Sequence, residues 1–558
     1  MATPFLNMDI SIVEPHPRRV LEAFRNGQFD DLEIIGQADE KEFFELCFRE
    51  KILAALADSM PTGRKKEEVP RWFILAANLS LKLHRENAFS GFERVVRCGG
   101  LLQALDPAIA SKHLDPQTQR VVLKCQGFND KNDYERQTPC DQDFLRKVSR
   151  DVPAPQWQQW FNGPVQQVFQ RYGFFDPQGI FIGDASYVFV PDNEAYEGSV
   201  LMWFDEHNHP VDYETLDPEA RRRCTRRRCY KWVSLLHWRD GAYVYAAVAL
   251  VAGNAHECPI LYELVRQFVG AVGLGVMKWL ILDRGFIDGE AISQCKTQMG
   301  VDVLIPLRRN MDVWTDAWAL APQAHWQPLE EPVVTPAPPP AQRPENIIRR
   351  EAKRQKTLAQ RKAQSAEPPP SPPPAREVCR LTDFTSWSAA SVPIHVTLIR
   401  PVGSTDPKQR WALACTTSDL PAPATVQRYA RRTDIEERHR QLKCFYDLTG
   451  FRSRSFDAIT SQMVFVLLTY TLRQWQLWRL KQTAWAGLTP QSLEQKLAIH
   501  QQWIVIYFQC AYVQLPLVTF TRELLELAEE ARAKALAKVR QLEECMLAPV
   551  APLRPRPP

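Results

Sequence analysis

The chain has 558 residues, of which 45% are hydrophobic and 24% charged, a balance typical of a folded protein with about three or four domains. This composition excludes a peptide, a lone binding module and global disorder. The 69 basic and 65 acidic residues leave a formal net charge of +4, so only the placement of charges, and not their sum, can argue for a polyanionic partner.

Two features of the sequence bear on the cellular compartment of the protein. The 13 cysteines contain no Cys-x-x-Cys pair, and the N-terminus lacks the basic-then-apolar pattern of a signal peptide. A reducing, cytoplasmic location is therefore expected. The most apolar stretch, 463–480, is interrupted by Arg473, Gln474 and Arg479, which predicts a buried helix and not a membrane span.

The first 170 residues carry apolar side chains at helical spacing, most clearly in 40–56 and 71–83, and predict a mostly helical region. From residue 179 the pattern changes to short apolar runs, which predict three strands followed by helix, strand, helix and strand. This order indicates a mixed α/β core of the ribonuclease-H-like type. The strands are expected at 180–190, 231–238, 242–251, 278–282 and 301–307, and the helices at 256–272 and 289–299.

Residues 308–427 interrupt this core. Pro-rich tracts at 335–340 and 367–374 favour extended chain, and the strongly basic segment 346–364 between them is a helix that contacts DNA or a charged linker. A hairpin and then helices are predicted beyond these tracts. The hairpin strands are expected at 393–400 and 410–416, and the helices at 428–445, 458–480 and 521–547, the last as a packing or dimer-contact helix.

Two aspartates stand in predicted core strands. Asp184 lies inside the apolar run GIFIGDASYVFV, and Asp283 follows the run KWLIL. A carboxylate in an apolar strand costs free energy unless it is paired, hydrogen-bonded or metal-bound, and strand ends are where α/β sheets place their ligands. One such aspartate is often structurally neutral, so the pair on neighbouring strands is what indicates function.

The helix predicted over 428–445 has an unusual polar face. With each residue turning about 100°, one face carries a phenol, cations and a single carboxylate, whereas Glu437 and Asp434 fall away from it. A charged helix alone usually means a solvated surface. The residues of this face are Tyr429, Arg432, Glu436, Arg440 and Lys443.

The spacing Tyr429-x2-Arg432-x3-Glu436-x6-Lys443 resembles the YREK signature of DDE insertion-sequence transposases. The residues from Asp283 to Phe286 are similar to the second-aspartate motif of that family, and Asp184 with the preceding glycine is similar to the first. The long stretch between Asp283 and Glu436 is that of members with a β-rich insertion. The resemblance covers about 179–480 and none of residues 1–178.

The resemblance implies a ribonuclease-H-like catalytic core with a β-containing insertion, flanked by helical N- and C-terminal regions. It implies that Asp184, Asp283 and Glu436 bind two Mg²⁺ or Mn²⁺ ions, which polarise water and stabilise the leaving oxygen of a phosphodiester. DNA phosphates would be held by Tyr429, Arg432, Arg440 and Lys443. The expected domains are 1–170 for DNA-end binding, 171–307 and 428–482 for the core, 308–427 for the insertion, and 483–558 for a helical dimer or DNA contact with a disordered tail.

Residues 221–231 read RRRCTRRRCYK, with seven basic residues and no acid. Such a run is either a solvated surface or a DNA contact. Because its charges repel one another without a polyanion, we expect it to contact DNA. The arginines are Arg221, Arg222, Arg223, Arg226, Arg227 and Arg228.

Two further groups carry weaker patterns. Trp314 and Trp318 follow the last predicted core strand; most tryptophans pack in cores, but in some relatives an insertion-domain tryptophan stacks on a base flipped out at the transposon end. A zinc site can also be imagined, but its Cys-x4-Cys spacing is wider than usual and arginines adjoin the thiols. Its ligands would be His207, His209, Cys224 and Cys229.

These features predict an enzyme that binds the terminal inverted repeats of its insertion sequence, cleaves at the ends and joins the 3′-hydroxyls to target DNA. We expect double-stranded DNA as partner, a homodimer in the DNA complex, no membrane, and a bacterial, nucleoid-associated location. The alternative is a catalytically inactive, transposase-derived DNA-binding protein. A repair nuclease is a third interpretation, which the helix signature does not favour.

Overall fold

A computed structural model of the chain describes residues 14–35, 38–65, 69–92, 110–114, 121–125, 140–329, 375–481, 485, 488, 493, 503–509 and 511–547. The Pro-rich tracts, the basic segment 346–364 and the C-terminal tail lie outside these residues. The chain divides into two compact units. The first comprises Met1–Leu280, Met299–Val301 and Thr433–Pro558, and the second Ile281–Gln298 and Asp302–Arg432.

The described helices are α1 (Pro17–Arg25), α2 (Ala38–Arg49), α3 (Ile52–Asp58), α4 (Arg71–Leu83), α5 (Gln142–Asp151), α6 (Ala154–Trp160), α7 (Gln166–Arg171), α8 (Pro218–Arg223), α9 (Glu257–Val272), α10 (Gly289–Met299), α11 (Asp312–Leu320), α12 (Ala422–Ala430), α13 (Arg432–Phe445), α14 (Phe456–Arg479), α15 (Leu517–Glu526) and α16 (Glu529–Leu547).

The described strands are β1 (Glu14–Pro15), β2 (Asp31–Ile35), β3 (Ala110–Leu114), β4 (Val121–Cys125), β5 (Gly179–Val190), β6 (Val200–Phe204), β7 (Thr225–Arg239), β8 (Ala242–Ala252), β9 (Met277–Ile281), β10 (Asp302–Pro306), β11 (Gln327–Leu329), β12 (Arg376–Phe384), β13 (Ile394–Pro401), β14 (Trp411–Cys415), β15 (Trp503–Phe508) and β16 (Ala511–Pro516).

The main sheet of the first unit contains β8, β7, β5 and β9 in that order, and β6 pairs with the N-terminal part of β7. β7 is antiparallel to both β5 and β8, and β5 and β9 begin at the same edge, where Gly179 N donates to Val276 O at 2.8 Å. In the second unit, Leu282 N, just beyond β9, donates to Leu304 O of β10. This order is that of a ribonuclease-H-like core, and the predicted mixed α/β class is confirmed.

The edge strand β8 is covered by α14. Tyr243 N donates to Gln474 Oε1 and Tyr245 N to Thr471 Oγ1, both at 3.2 Å, so outward backbone groups that would otherwise lie unpaired in the core find partners. These contacts explain why the apolar helix α14 contains the buried polar side chains of Thr471 and Gln474. No helix among the described residues is long and apolar enough to cross a membrane.

The two ends of the chain share a second sheet in the first unit, with the order β1-β16-β15-β2. β2 is antiparallel to β15 and β1 is parallel to β16, and Arg25 of α1 makes a two-pronged ion pair with Glu523 of α15 at 2.8 and 2.9 Å. The regions expected to be helical therefore also contribute strands, which the local pattern did not predict.

Two predicted helices are interrupted. The helix expected over 40–56 is broken between α2 and α3, where Lys51 adopts a left-handed backbone with a φ of 57°, and the helix expected over 521–547 is divided between α15 and α16. The helix predicted over 71–83 forms as α4.

The sheet of the second unit has the order β10-β14-β13-β12-β11, with antiparallel neighbours throughout. The hairpin predicted from 393–400 and 410–416 is present as β13 and β14. The carboxylate of Asp302, which is fully buried, pairs with Lys296 at 2.5 Å and accepts a hydrogen bond from Thr416 Oγ1 at 3.2 Å. A buried charge at the start of β10 is thus compensated by charge and hydrogen bonding.

A buried lysine anchors the turn that follows α13. Lys82 Nζ donates to Asn87 Oδ1 at 2.6 Å, and Asn87 Nδ2 donates to the backbone oxygen of Asp447 at 2.7 Å. Burial lowers the pKa of Lys82 from its usual 10.5 to about 7, against the opposing charges of Glu86 and Asp447. α4 is therefore tied to the end of α13 by a cation that is poorly solvated in the folded state.

We predict that Lys82 makes stability depend on pH. Between pH 7 and 10.5 the unfolded chain binds more protons at this site than the folded chain, so the free energy of unfolding rises with pH, by at most about 1.4 kcal/mol per pH unit. Urea unfolding at pH 7.5 and 9.5 measures this rise, and Lys82→Met should reduce it. Lys147→Met, at an exposed position of α5, is the control; equal pH dependence in all three proteins would contradict the prediction.

Candidate functional site

Asp184 lies in the middle of β5 on a face built by two strands. It is 9% exposed and stands opposite Ser234 of β7, while Ser186 stands opposite Trp232. Opposed residues of an antiparallel pair point to the same face, and residues two apart on a strand share it. The carboxylate, two hydroxyls and an indole therefore lie side by side on this face.

α13 packs on that face through two side chains one turn apart. His439 Nδ1 lies 3.7 Å from Asp184 Oδ2, and Lys443 Nζ donates to Ser186 Oγ and to the backbone oxygen of Tyr187, both at 2.6 Å. Burial lowers the pKa of Lys443 to about 8, although the charge of Asp184 acts in the opposite direction. The ammonium thus contacts β5 in this structure.

The two adjacent glutamates of α13 have different surroundings. Glu437 receives both prongs of Arg440 at 2.7 Å and the amide of Gln441 at 3.0 Å, and the hydrogen bond from Arg440 is the main reason that its pKa is lowered. Glu436 is exposed and lies one turn before His439, on the side of α13 that contacts β5. Arg440, which was predicted to share the face of Glu436, is thus engaged by Glu437.

The second unit holds the other aspartate. Asp283 follows β9; its Oδ1 accepts from Arg284 N at 2.6 Å, and its Oδ2 lies 3.4 Å from a terminal nitrogen of Arg432. The Asp283 side chain is 45% exposed and that of Arg432 only 9%. A short turn therefore presents one carboxylate beside a buried guanidinium at the end of a core strand.

The helix predicted over 428–445 is two helices, and this corrects the position of Tyr429. Arg431 N bonds to Arg428 O, three residues earlier, at 3.2 Å, so the last turn of α12 is tighter than an α-helix and the chain restarts as α13. The angle between Tyr429 and Glu436 therefore does not follow from 100° per residue. The Tyr429 ring packs edge-on against Trp411 at 5.4 Å.

The arginine run is not free of acids in three dimensions. Arg228 is 7% exposed and pairs with Asp192 at 3.2 Å, and Arg223 lies 3.6 Å from Glu219. The run was expected between two core strands, but its second half lies within β7. Repulsion within the run is therefore relieved in part by acids that lie outside the run, which weakens the premise that a polyanion is needed.

The remaining arginines of the run differ in exposure and contacts. Arg221 donates to Glu214 O at 2.7 Å and lies over the Tyr213 ring, whereas Arg227 donates to Asn208 Oδ1 at 2.6 Å. The side chains that stay exposed on this surface are Arg222, Arg223, Arg226 and Arg227.

Trp314 and Trp318 lie on α11 in the second unit and are each 8% exposed. Their rings are 6.0 Å apart, and Trp318 also lies 6.0 Å from Trp326. Arg410 covers the face of Trp318 at 4.9 Å. Base stacking by Trp318 would need the ring face that Arg410 covers, and the stacking role of Trp314 stays a prediction.

Within the part of the chain that the structure describes, no group of three or more His, Cys, Asp or Glu side chains is placed to hold a metal ion. This holds for the predicted carboxylates and also for the weakly indicated zinc ligands, of which His209 instead faces Asp205 at 3.2 Å. The structure brings His439 and Lys443 to the Asp184 strand, and Arg432 to Asp283.

Sequence reasoning missed His439, Ser234 and Trp232. The signal for the histidine was available, because it follows Glu436 by three residues and so lies on the same helix face. The other two could not be found locally, since only the register of β5 and β7 places them beside Asp184.

Comparisons with known proteins include a match along the sequence. Residues 198–472 match the family described as the transposase DDE domain, and no curated protein matches significantly. Among solved structures, a piggyBac transposase synaptic complex with hairpin DNA matches at 9% identity, covering 83% of this chain and 81% of that chain, with a TM-score of 0.34. That score is too low for the likeness to bear on function.

We predict that Trp318 is a packing residue. Trp318→Ala should lower the free energy of unfolding by about 3–5 kcal/mol, because a large buried ring is removed, as measured by denaturant unfolding. Leu320→Ala, on the same helix but 45% exposed, should change it by less than about 0.5 kcal/mol. A Trp318→Ala protein of unchanged stability that binds DNA more weakly would instead establish a stacking role.

Proposed function

We propose that the chain is an active DNA transposase, in keeping with the match of residues 198–472 to the transposase DDE domain family. It binds the terminal inverted repeats of its own element, cleaves at the ends and joins the 3′-hydroxyls to target DNA. The observation that carries the proposal is the packing of α13 on β5 through His439 and Lys443, which leaves Glu436 one turn away on the helix that contacts the Asp184 strand.

The residues fit a divalent metal by their chemistry. Asp184, Asp283 and Glu436 offer hard oxygen donors of the kind that Mg²⁺ and Mn²⁺ prefer; Asp283 lies beside the guanidinium of Arg432, and Asp184 faces a ring nitrogen of His439. Two bound ions would supply an activated water and stabilise the leaving oxygen. Asp184 and Glu436 belong to the first unit and Asp283 to the second.

The proposal assigns four side chains near α13 to DNA phosphates. Arg432 and Tyr429 lie on the segment that enters α13 and hold phosphates of the transposon end, Arg432 once its buried guanidinium turns away from Asp283. Lys443 and Arg440 reach DNA only after they leave Ser186 and Glu437, their present partners. DNA binding would then exchange the hydrogen bonds that Lys443 and Arg440 make within the protein for hydrogen bonds to phosphate.

The remaining parts of the chain are assigned by the same proposal. Residues 1–170 bind the DNA ends, 308–427 form the insertion, and 483–558 form a dimer or DNA contact around the catalytic segments 171–307 and 428–482. Two ends must be held together for coordinated cleavage, so the DNA complex is a homodimer. The proposal places the enzyme at bacterial DNA.

The alternative is a catalytically inactive DNA-binding protein derived from a transposase. It is disfavoured because a protein without catalysis has no need to bury Asp184 under α13, at the free-energy cost of a buried carboxylate. A cleavage assay separates the two, since both bind DNA and only one cuts it.

We predict that the three acids are needed for cleavage and not for end binding. Asp184→Ala, Asp283→Ala and Glu436→Ala should each abolish Mg²⁺-dependent cleavage of DNA that carries the element's ends, while gel-shift affinity stays near wild type. Glu437→Ala, which alters the neighbouring carboxylate, is the control and should retain cleavage. Full cleavage by Glu436→Ala would remove Glu436 from the site.

We predict that the exposed arginines track the DNA backbone. Replacing Arg222, Arg226 and Arg227 by Gln should reduce the magnitude of the negative slope of log affinity against log salt by about 0.9 for each phosphate that the protein no longer neutralises. Arg228→Gln, which removes the ion pair of a buried guanidinium with the exposed Asp192, should lower stability and leave the slope unchanged. An unaltered slope in the triple variant would show that this surface is merely solvated.

A further inference from the structure

His439 is buried among polar and aromatic side chains, and the roles predicted for the catalytic residues do not account for it. The side chain is 4% exposed, and its ring lies 4.4 Å from the Trp232 ring. Its Nε2 is 3.0 Å from Ser234 Oγ and its Nδ1 is 3.7 Å from Asp184 Oδ2. Both ring nitrogens thus face polar atoms on one sheet face, where Ser234 and Asp184 are cross-strand partners.

The chemistry of these partners selects one proton arrangement. An ionised carboxylate only accepts hydrogen bonds, so the nitrogen that faces Asp184 must carry the proton. In a neutral imidazole the other nitrogen is then an acceptor, and the Ser234 hydroxyl donates to it. Ser234, which is fully buried, therefore fixes the tautomer that presents an N–H to Asp184.

The Trp232 ring restricts how the imidazole can turn. Trp232 is fully buried and lies two residues before Ser234 on β7, on the same face. Packing on one side and the serine hydroxyl at one end hold the imidazole plane in place. A carboxylate shift of about 0.5–0.8 Å would bring Asp184 into hydrogen-bond distance of Nδ1.

We propose that His439 is a positioning residue that orients the Asp184 carboxylate for a divalent metal, with Ser234 and Trp232 holding the imidazole. This rests on the proposed function only in taking Asp184 as a metal ligand. Hydrogen-bonded partners of metal ligands fix ligand orientation, and their removal typically lowers metal affinity about 10- to 100-fold.

Two near-isosteric variants separate positioning from plain packing. The amide nitrogen of His439→Asn takes the place of Nδ1 and keeps a donor towards Asp184, whereas that of His439→Gln takes the place of Nε2 and keeps only the contact with Ser234. Positioning predicts that the asparagine variant retains more metal affinity. If the histidine only ties α13 to β7, the glutamine variant should bind the metal at least as tightly as the asparagine variant.

The test is Mn²⁺ binding to the full chain without DNA, followed by the electron paramagnetic resonance signal of free Mn²⁺. We expect His439→Asn to bind within about 3-fold of wild type and His439→Gln about 10-fold more weakly. Ser234→Ala should weaken Mn²⁺ binding in the wild-type background. It should have no added effect in a His439→Leu protein, because Ser234 acts on Asp184 only through His439.

His237→Asn is the matched control. His237 is fully buried on the same strand, β7, but bonds to Ile180 O at 3.0 Å and lies away from Asp184. Its replacement should lower stability and leave Mn²⁺ affinity unchanged. Thermal unfolding of every variant identifies proteins that fail to fold.

The outcomes separate this inference from the proposed function. Equal Mn²⁺ affinity of the asparagine and glutamine variants, in a wild-type chain that binds Mn²⁺ and cleaves its ends, overturns the inference alone. The expected order of affinities in a chain that does not cleave supports the inference and overturns the function. A wild-type chain that binds no Mn²⁺ overturns the inference, and end cleavage then decides the function.

Discussion

The contact between α13 and β5 is the constraint on which the candidate site depends. A lysine ammonium removed from water must find hydrogen-bond acceptors, and Lys443 finds them at Ser186 and the Tyr187 carbonyl. One turn earlier, His439 meets Asp184. In this structure, which holds no DNA, these two contacts a turn apart fix both the rotation and the axial position of the helix, and therefore where Glu436 stands.

Other buried polar groups maintain this arrangement from a distance. The turn after α13 is held by Asn87 and Lys82 of the N-terminal region, and the outer edge of the sheet is closed by side chains of α14. Each of these groups would destabilise the fold if its partner were removed. The helical regions on either side of the core thus stabilise the position of α13 as well as packing against the sheet.

The sequence predicted those features that depend on local periodicity. The strand that contains Asp184 and the strand before Asp283 appear within a few residues of their predicted bounds, because apolar runs of that length and composition rarely form another secondary structure. The break at Arg431 was missed, since one tightened hydrogen bond leaves no periodic signature. The shared sheet of β2 and β15 was missed because it pairs opposite ends of the chain.

The charged residues, too, could be predicted only where local geometry sets their position. The face of α13 that carries Glu436 follows from helical geometry, whereas the partners of the arginine run come from segments outside it, such as Asp192. A run without acids in sequence is therefore a poor measure of unbalanced charge in space. For the same reason Ser234, which faces His439, could be found only through strand register.

The central claim is that Asp184, Asp283 and Glu436 form one metal centre when DNA ends are bound. Manganese anomalous scattering from crystals of the full chain with Mn²⁺ and its terminal repeat tests it most directly. We expect two peaks about 3.5–4 Å apart, with carboxylate oxygens of all three residues within about 2.5 Å of a peak. Manganese bound elsewhere, or a DNA-bound complex in which Glu436 contacts neither ion, would contradict it.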